Sequence, residues 1–488
     1  MSGAGRPGGA VGRLAAGGRR LAANPMVSGA GALSAAQYAG TAVGLLTTVL
    51  VARALGPTAY GVATLVVAYP STVWAFSTLK PVAITTRYMS RFHASGETGP
   101  LLGVCQLGYL LDAAMALVAL VLVAATAPWV AGRFYAMPER AWLMVAFAAF
   151  FPVASLSGTN GAVLTALQRF RLLAALRFAR PVMLLAMAAA ALALRTGIAG
   201  YVLAMALSQA AVSLLETAAA ARALVHAHGG GYRQLLRSRL GEIEALRAEL
   251  RGLFRWSYVL STATSVADQL PLLLLGRFAG PAASGYYRLA TLVATGAMVP
   301  EGAMGKVVFP RLAAQWERAT GAQARRQLAR WTLRAGLPAA ALVALGTAFL
   351  RPLVPPMFGA EYGPMVTGAQ VLLLAVALRA AVFWIEPAYY AAGKVGAWTR
   401  LHLLQVVGML LLTGPAVARF GFLGAAVSVA VIRTALVAAA VLALPLPRRT
   451  LAEAGPAAGE GDDARDGSHA EPAGRPAGRR LAPTNGAR

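Results

Sequence analysis

Twelve stretches of roughly twenty predominantly apolar residues recur along the chain, at 27–51, 60–79, 101–125, 141–167, 172–194, 198–221, 256–275, 286–309, 336–353, 365–391, 399–417 and 421–444. A stretch of that length spans the hydrocarbon core of a bilayer, about 30 Å, as a helix whose backbone groups are satisfied within the segment. The chain is therefore read as an all-α polytopic membrane protein with about 12 transmembrane helices. Composition agrees, with 58% hydrophobic and 13% charged residues, against roughly 45–50% and about 25% in soluble domains.

The spans fall into two sets of six. A-R-A-L-G-P-T-A-Y-G from Ala52 to Gly61 returns as G-R-F-A-G-P-A-A-S-G from Gly276 to Gly285, an offset of 224 positions. Gly197 and Gly200 match Gly421 and Gly424 at the same offset. Each Gly-Pro copy reads as a hairpin between two spans, and the shared offset predicts two parallel six-helix repeats. Transporters built this way place substrate at the interface between halves. The expected divisions are a basic N-terminal arm (1–26), an N-terminal bundle (27–225), a cytoplasmic amphipathic linker (226–255), a C-terminal bundle (256–445) and a tail (446–488). The arm is Gly-rich without an apolar core, so it does not read as a cleavable signal peptide. In the linker, Leu236, Leu240, Ile243, Leu250 and Leu253 line one helical face, which predicts a helix lying on the inner membrane surface. The tail is Ala, Gly, Pro and charge, too polar to bury a core, and is read as disordered.

A net charge of +26 raises the question of nucleic acid. With a cytoplasmic N-terminus, most Lys and Arg fall in the arm, in alternate loops and in the tail. A smaller set that includes Arg53, Arg277 and Arg288 falls at the other face. This is the positive-inside bias of a multi-pass membrane protein with both termini cytoplasmic, so the charge reports topology and no nucleic-acid partner is expected. The single cysteine, Cys105, allows no internal disulfide.

Ionisable residues inside spans cost on the order of 2.5–3.5 kcal/mol each on insertion scales, so those retained face a cavity or a partner. Asp268, in the middle of the seventh span and just ahead of the repeated turn, is the first candidate for ion coupling by H+ or Na+, followed by Glu301 and Glu386. Glu301 has a nearby alternative partner in Lys306. Arg379 and Glu386 are seven residues apart, on one helix face. With Trp384, Tyr389 and Tyr390 they supply a cation, a carboxylate and aromatic surface suited to a phosphorylated sugar, and equally to an interior ion pair with boundary aromatics. Lys80 and Arg87, past the inner end of the second span, would meet an anionic head group entering from the cytoplasm, although topology alone also places them there. Arg433, Asp112 and Glu216 fit structural partners more readily than ligands, and Arg433 is kept as a candidate for the diphosphate or glycan. Arg53 and Arg277, equivalent in the repeats, fit snorkelling to the interface.

There is no P-loop G-x-x-x-x-G-K-[ST] and no G-x-S-x-G elbow, and the five histidines lack metal-ligand spacing. Neither an enzyme nor a cofactor or metal site is expected. A-R-A-L-G-P-T-A-Y-G, D-Q-L-P-L-L-L-L-G-R-F-A-G-P-A-A-S-G-Y-Y-R-L-A, M-F-G-A-E-Y-G-P and G-F-L-G-A-A together resemble the polysaccharide-repeat-unit flippases, the O-antigen and teichoic-acid exporters of the multidrug/oligosaccharidyl-lipid/polysaccharide superfamily. The resemblance covers about 26–444 and implies a V-shaped, MATE-like transporter with a central cationic cavity. Such a protein carries a lipid-linked (polyprenyl-diphosphate) oligosaccharide from the inner to the outer leaflet by alternating access, with Asp268 at the acidic position before the turn. Polysaccharide polymerase and glycosyltransferases are the expected protein partners. The two further C-terminal helices of the fourteen-span lipid II flippases are absent, which counts against that branch. A multidrug or cation antiporter of the same superfamily and a non-transporting scaffold for polysaccharide synthesis are the competing readings. Arginines facing the cavity would favour the glycan.

Overall fold

The computed structural model describes residues 25–77, 82–229, 240–316 and 319–447. The arm, most of the tail, Lys80 and part of the linker lie outside these residues. Every regular element among them is helical. The first half holds α1 (Pro25–Ser77), α2 (Val82–Ser95), α3 (Thr98–Trp129), a broken span made of α4 (Ala141–Ala148), α5 (Phe151–Ala154) and α6 (Ser157–Ala166), then α7 (Phe170–Ala193) and α8 (Gly197–His228). The second holds α9 (Arg247–Phe278), α10 (Gly280–Ala297), α11 (Val299–Trp316), α12 (Gly321–Trp331), α13 (Leu337–Phe358), α14 (Met365–Ala381), α15 (Ile385–Ala391), α16 (Val395–Gly408) and α17 (Gly414–Leu442).

Among the described residues, seven helical stretches are long and apolar enough to cross a membrane, eight if the α14–α15 pair, bent by 42°, counts as one span. Two of the seven, Gly31–Ser77 and Val395–Leu442, have 47 and 48 residues. At 1.5 Å per residue each is about 70 Å long, more than twice the hydrocarbon core, so each supplies two spans. Each also holds a break at a glycine with positive φ, Gly56 (74°) and Gly421 (56°). Helices occupy the described parts of the twelve predicted spans, but the fourth, eighth and tenth are divided; in the eighth, α10 stops at Ala297 and α11 begins at Val299. The outside of the molecule carries large apolar side chains such as Leu342 (71% exposed) and Leu411 (66%), a surface that hydrocarbon accepts and water does not.

The repeat is visible in the backbone. Gly56 and its equivalent Gly280 both have positive φ, as do Gly197 and Gly421. Gly61 and Gly285, also equivalent, contact each other's turn. A Cβ on Gly61 would stand 1.8 Å from the Pro281 carbonyl oxygen, and one on Gly285 would stand 2.6 Å from the Pro57 carbonyl oxygen. The halves thus meet backbone to backbone across a pseudo-two-fold axis, where only glycine leaves room.

Around this crossing the residues of both halves form one core, with Tyr60 and Leu65 packed among Leu272, Tyr287, Tyr362 and Met365. Farther from it the halves have separate cores. Tyr88, Phe92, Leu101, Cys105 and Leu224 belong to one, and Leu312, Trp316, Trp384, Tyr389 and Trp398 to the other. A shared core at one end and separate cores at the other make a V whose vertex is the pair of Gly-Pro turns. Of the apolar linker face expected on the lipid surface, Ile243 is the residue found buried in protein, while Leu236 and the side chains of Leu250 and Leu253 lie outside the described residues. Leu240–Leu246 forms a 3-10 turn, and Ile243, 1% exposed, is buried in the core of the first half. Burying an apolar side chain of that size is worth roughly 1.5–3 kcal/mol, enough to hold a short turn against protein.

Candidate functional site: a cationic cavity in the second half

Helices α9, α10, α14, α16 and α17 surround a cavity of about 500 Å³. Its charged lining is Asp268, Arg288, Arg379 and Arg433, with His402, Gln269 and Gln405 beside them. Each side chain is held on a membrane helix whose register is set by the apolar residues around it, Leu272 on α9 and Leu372 and Val376 on α14.

Arg433 Nη2 donates to Asp268 Oδ1 at 2.9 Å. The pair is open to the cavity, with 36% and 62% of the two side chains exposed. Solvated ion pairs of this kind contribute about 0–1 kcal/mol, so this one can part cheaply. Arg379 is held more tightly. Its Nε donates to Glu301 Oε1 at 2.8 Å and its Nη2 to Glu386 Oε2 at 3.4 Å. Glu301 is 9% exposed, and its Oε2 has no partner among the described residues. Arg379 and Glu386 meet across the bend between α14 and α15, not along one straight helix as their spacing predicts. Glu301 pairs with Arg379, and the side chain of Lys306, the other partner its sequence neighbourhood offers, lies outside the described residues.

Arg288 is the cavity residue that a reading of the sequence assigns to topology alone. Near the second Gly-Pro turn it reads as an outer-face topology charge, whereas α10 turns it into the cavity. It pairs with no carboxylate among the described residues, and its neighbour is the phenol of Tyr60, from the other half. Arg288 is thereby the cation of this cavity whose charge is not already answered by an acid. A residue spacing of i, i+3 and i+7 from Arg288 to Thr291 and Thr295, both cavity-lining, was the available signal for this face. His402 was equally unforeseen. One ring nitrogen, Nδ1, lies 3.1 Å from the Trp398 carbonyl.

Other predicted residues lie elsewhere. Tyr389 is 1% exposed, donates its hydroxyl to the Ala440 carbonyl at 3.0 Å and packs on Trp398, so it is a core residue and not part of the cavity wall. Trp384 is likewise buried, its indole N–H donating to Thr332 Oγ1 at 2.8 Å. Tyr390 and the exposed Arg87 are outside the cavity lining, and Lys80 lies outside the described residues. At the vertex, Arg53 does not simply snorkel. It donates to the Pro356 carbonyl at 2.9 Å, while Tyr362 donates to the Ala52 carbonyl at 2.8 Å and Tyr286 to the Glu361 carbonyl at 3.1 Å. Its repeat equivalent, Arg277, lies over the rings of Phe134 and Phe278.

A sequence profile of the family described as polysaccharide biosynthesis protein matches residues 26–316, more than half of the chain. No curated protein sequence matches. Among solved structures, the lipid II flippase MurJ in an inward closed conformation is similar with a TM-score of 0.64 at 12% identity, covering 84% of this chain and 86% of that one. An inward-facing multidrug resistance MATE family transporter of the MOP superfamily gives 0.60 at 13%, covering 84% and 92%. The Vibrio cholerae MATE transporter VcmN in its bent form gives 0.52 at 17%, covering 86% and 96%. At these identities the likeness is one of fold, and the fold is MATE-like and MurJ-like.

Proposed function

The chain belongs to the polysaccharide biosynthesis protein family, and from that premise we propose that it is a flippase. Its cargo is a polyprenyl-diphosphate oligosaccharide, carried from the inner to the outer leaflet by alternating access. The observation that supports this most is Arg288, a cation without an acidic partner in a cavity that Arg379 and Arg433 also line. A guanidinium presents a planar fork of donors to phosphate. A pocket for cationic drugs would favour carboxylates over arginines.

The same geometry supplies a coupling mechanism. Asp268 and a diphosphate compete for Arg433, because the guanidinium cannot serve both fully. Protonation of Asp268, or Na+ bound to it, releases Arg433 to the diphosphate. Return of the bare carboxylate displaces the cargo, so ion and cargo are bound together and released together, without ATP. Glu301 and Glu386 hold Arg379 in place for the same anion. The vertex at the Gly-Pro turns is assigned to the outer face, which makes this conformation closed to the outside. The protein would act in the inner membrane beside glycosyltransferases and a polymerase.

The test is genetic. Deletion of the gene in the source cell should abolish display of its surface polysaccharide and accumulate lipid-linked repeat units. The wild-type gene should restore display and Arg288→Gln should not. Unchanged display in the deletion strain, with no paralogue present, would sink the proposal.

A further inference from the structure

The first half contains a polar cavity of its own, about 320 Å³, lined by Ser157 and Gly161 on α6, Arg177 and Arg180 on α7, and Gln209 and Glu216 on α8. It is unrelated to the residues assigned above. Glu216 is 6% exposed, and its Oε2 has no hydrogen-bond partner among the described residues. Ser157 reaches the carboxyl, but neither arginine forms an ion pair with it; Arg180 donates instead to Gln209 Oε1 at 2.7 Å. Gln209 occupies the repeat position of Arg433, at the same offset of 224 that relates Gly197 to Gly421. The duplicated frame has therefore placed a polar side chain at the same point of each half.

Two guanidiniums in a cavity call for an anion, and Glu216, the one acid on the cavity wall among the described residues, opposes one while it is ionised. A proton on Oε2 removes that opposition and turns the unpartnered oxygen into a donor aimed at the anion. We propose that Arg177, Arg180, Gln209 and protonated Glu216 form a second anion site, which takes an acidic group of the cargo, a carboxylate or a phosphate, together with one proton. This deepens the flippase reading and rests on it for the identity of the cargo, but the site itself is testable without transport. From α3, Tyr109 is the titratable group that interacts with Glu216, and Cys105 and Asp112 lie beside Tyr109. Asp112 accepts from Thr159 and Tyr109 donates to Asn160, so both have partners of their own.

The experiment is equilibrium binding of inorganic pyrophosphate and, separately, glucuronate to the purified full-length protein in nanodiscs. It uses the Arg288→Gln/Arg433→Gln background, which removes two of the three guanidiniums of the second-half cavity, and the Arg177/Arg180 variants below assign the binding that remains to the first half. Binding of either probe should persist there, and which probe binds distinguishes a phosphate from an acidic sugar. It should weaken with rising pH by up to about ten-fold per unit while Glu216 titrates, as one linked proton requires. Glu216→Gln, which mimics the protonated acid, should retain binding and lose the pH dependence. Arg177→Gln/Arg180→Gln should weaken binding by about ten-fold or more, the equivalent of losing one charged contact. Arg177→Lys/Arg180→Lys, which keeps the charge, decides the matter if the first pair does not fold, and should bind more weakly than the background protein. Binding of neither probe, binding indifferent to both arginine pairs, or a Glu216→Gln protein that no longer binds would overturn the proposal. Failure here with intact Arg288-dependent polysaccharide display would leave the flippase reading standing.

Discussion

Arg379 and Arg433 line one cavity and hold their charges in different ways. Arg379 is 21% exposed between two carboxylates, while Arg433 shares one exposed acid. Removing one member of a well-buried pair costs about 3–5 kcal/mol, because it strands a charge. Arg379→Ala should therefore lower the unfolding midpoint of the purified protein markedly, towards the lower end of that range given its partial exposure. Arg433→Ala should change stability by less than about 1 kcal/mol, as an exposed pair does. Equal effects of the two on thermal unfolding would contradict this division between a positioning pair and an exchangeable one. Much of the site was legible at this scale, because a charge inside an apolar run stands out: Asp268, Glu301, Arg379 and Arg433 were all visible. Arg288 was not, because a cation a few residues beyond a turn looks the same whether it marks topology or faces inward. Tyr389 misled for the opposite reason. A tyrosine beside an acid suggests sugar stacking, and only packing reveals that its hydroxyl is spent on the Ala440 carbonyl.

Among the elements, the two Gly-Pro turns decide how closely the halves approach. Gly56 has φ 74° and ψ 168°, a region essentially reserved for glycine, so Gly56→Ala should cost on the order of 1–3 kcal/mol. Gly61→Ala puts its methyl group 1.8 Å from the Pro281 carbonyl oxygen, closer than the 2.6 Å of Gly285→Ala from Pro57. Gly61→Ala should accordingly part the vertex more than Gly285→Ala does, lengthening the distance between spin labels at Ala54 and Glu361. A Gly61→Ala protein with an unchanged distance would show that the glycine contact does not set the closure. The repeat was readable from glycine spacing because backbone geometry, not side-chain chemistry, retains these positions. The division between α10 and α11 was not readable, since an apolar run gives no sign that its axis breaks. Ile243 likewise looked like a lipid-facing residue, because an apolar helix face fits a membrane and a protein core equally well.

For the molecule as a whole, one shared core and two separate ones describe two halves joined at the vertex and packed separately away from it. Apolar length made the membrane class and the helical fold plain from sequence. The V required knowing which cores merge. Its two halves share a frame but differ in chemistry, because Asp268 has Gly44 at its repeat position and Arg433 has Gln209. The exchange between Asp268 and a diphosphate at Arg433 is the claim on which transport depends. It is tested most directly by reconstituting the protein in vesicles with a fluorescent polyprenyl-diphosphate oligosaccharide and imposing a proton or Na+ gradient. The wild-type protein should move the lipid across the bilayer faster with the gradient than without it, and Asp268→Asn should lose that acceleration while remaining folded. A wild-type protein that moves no lipid, or an Asp268→Asn protein that responds to the gradient as the wild type does, would contradict it.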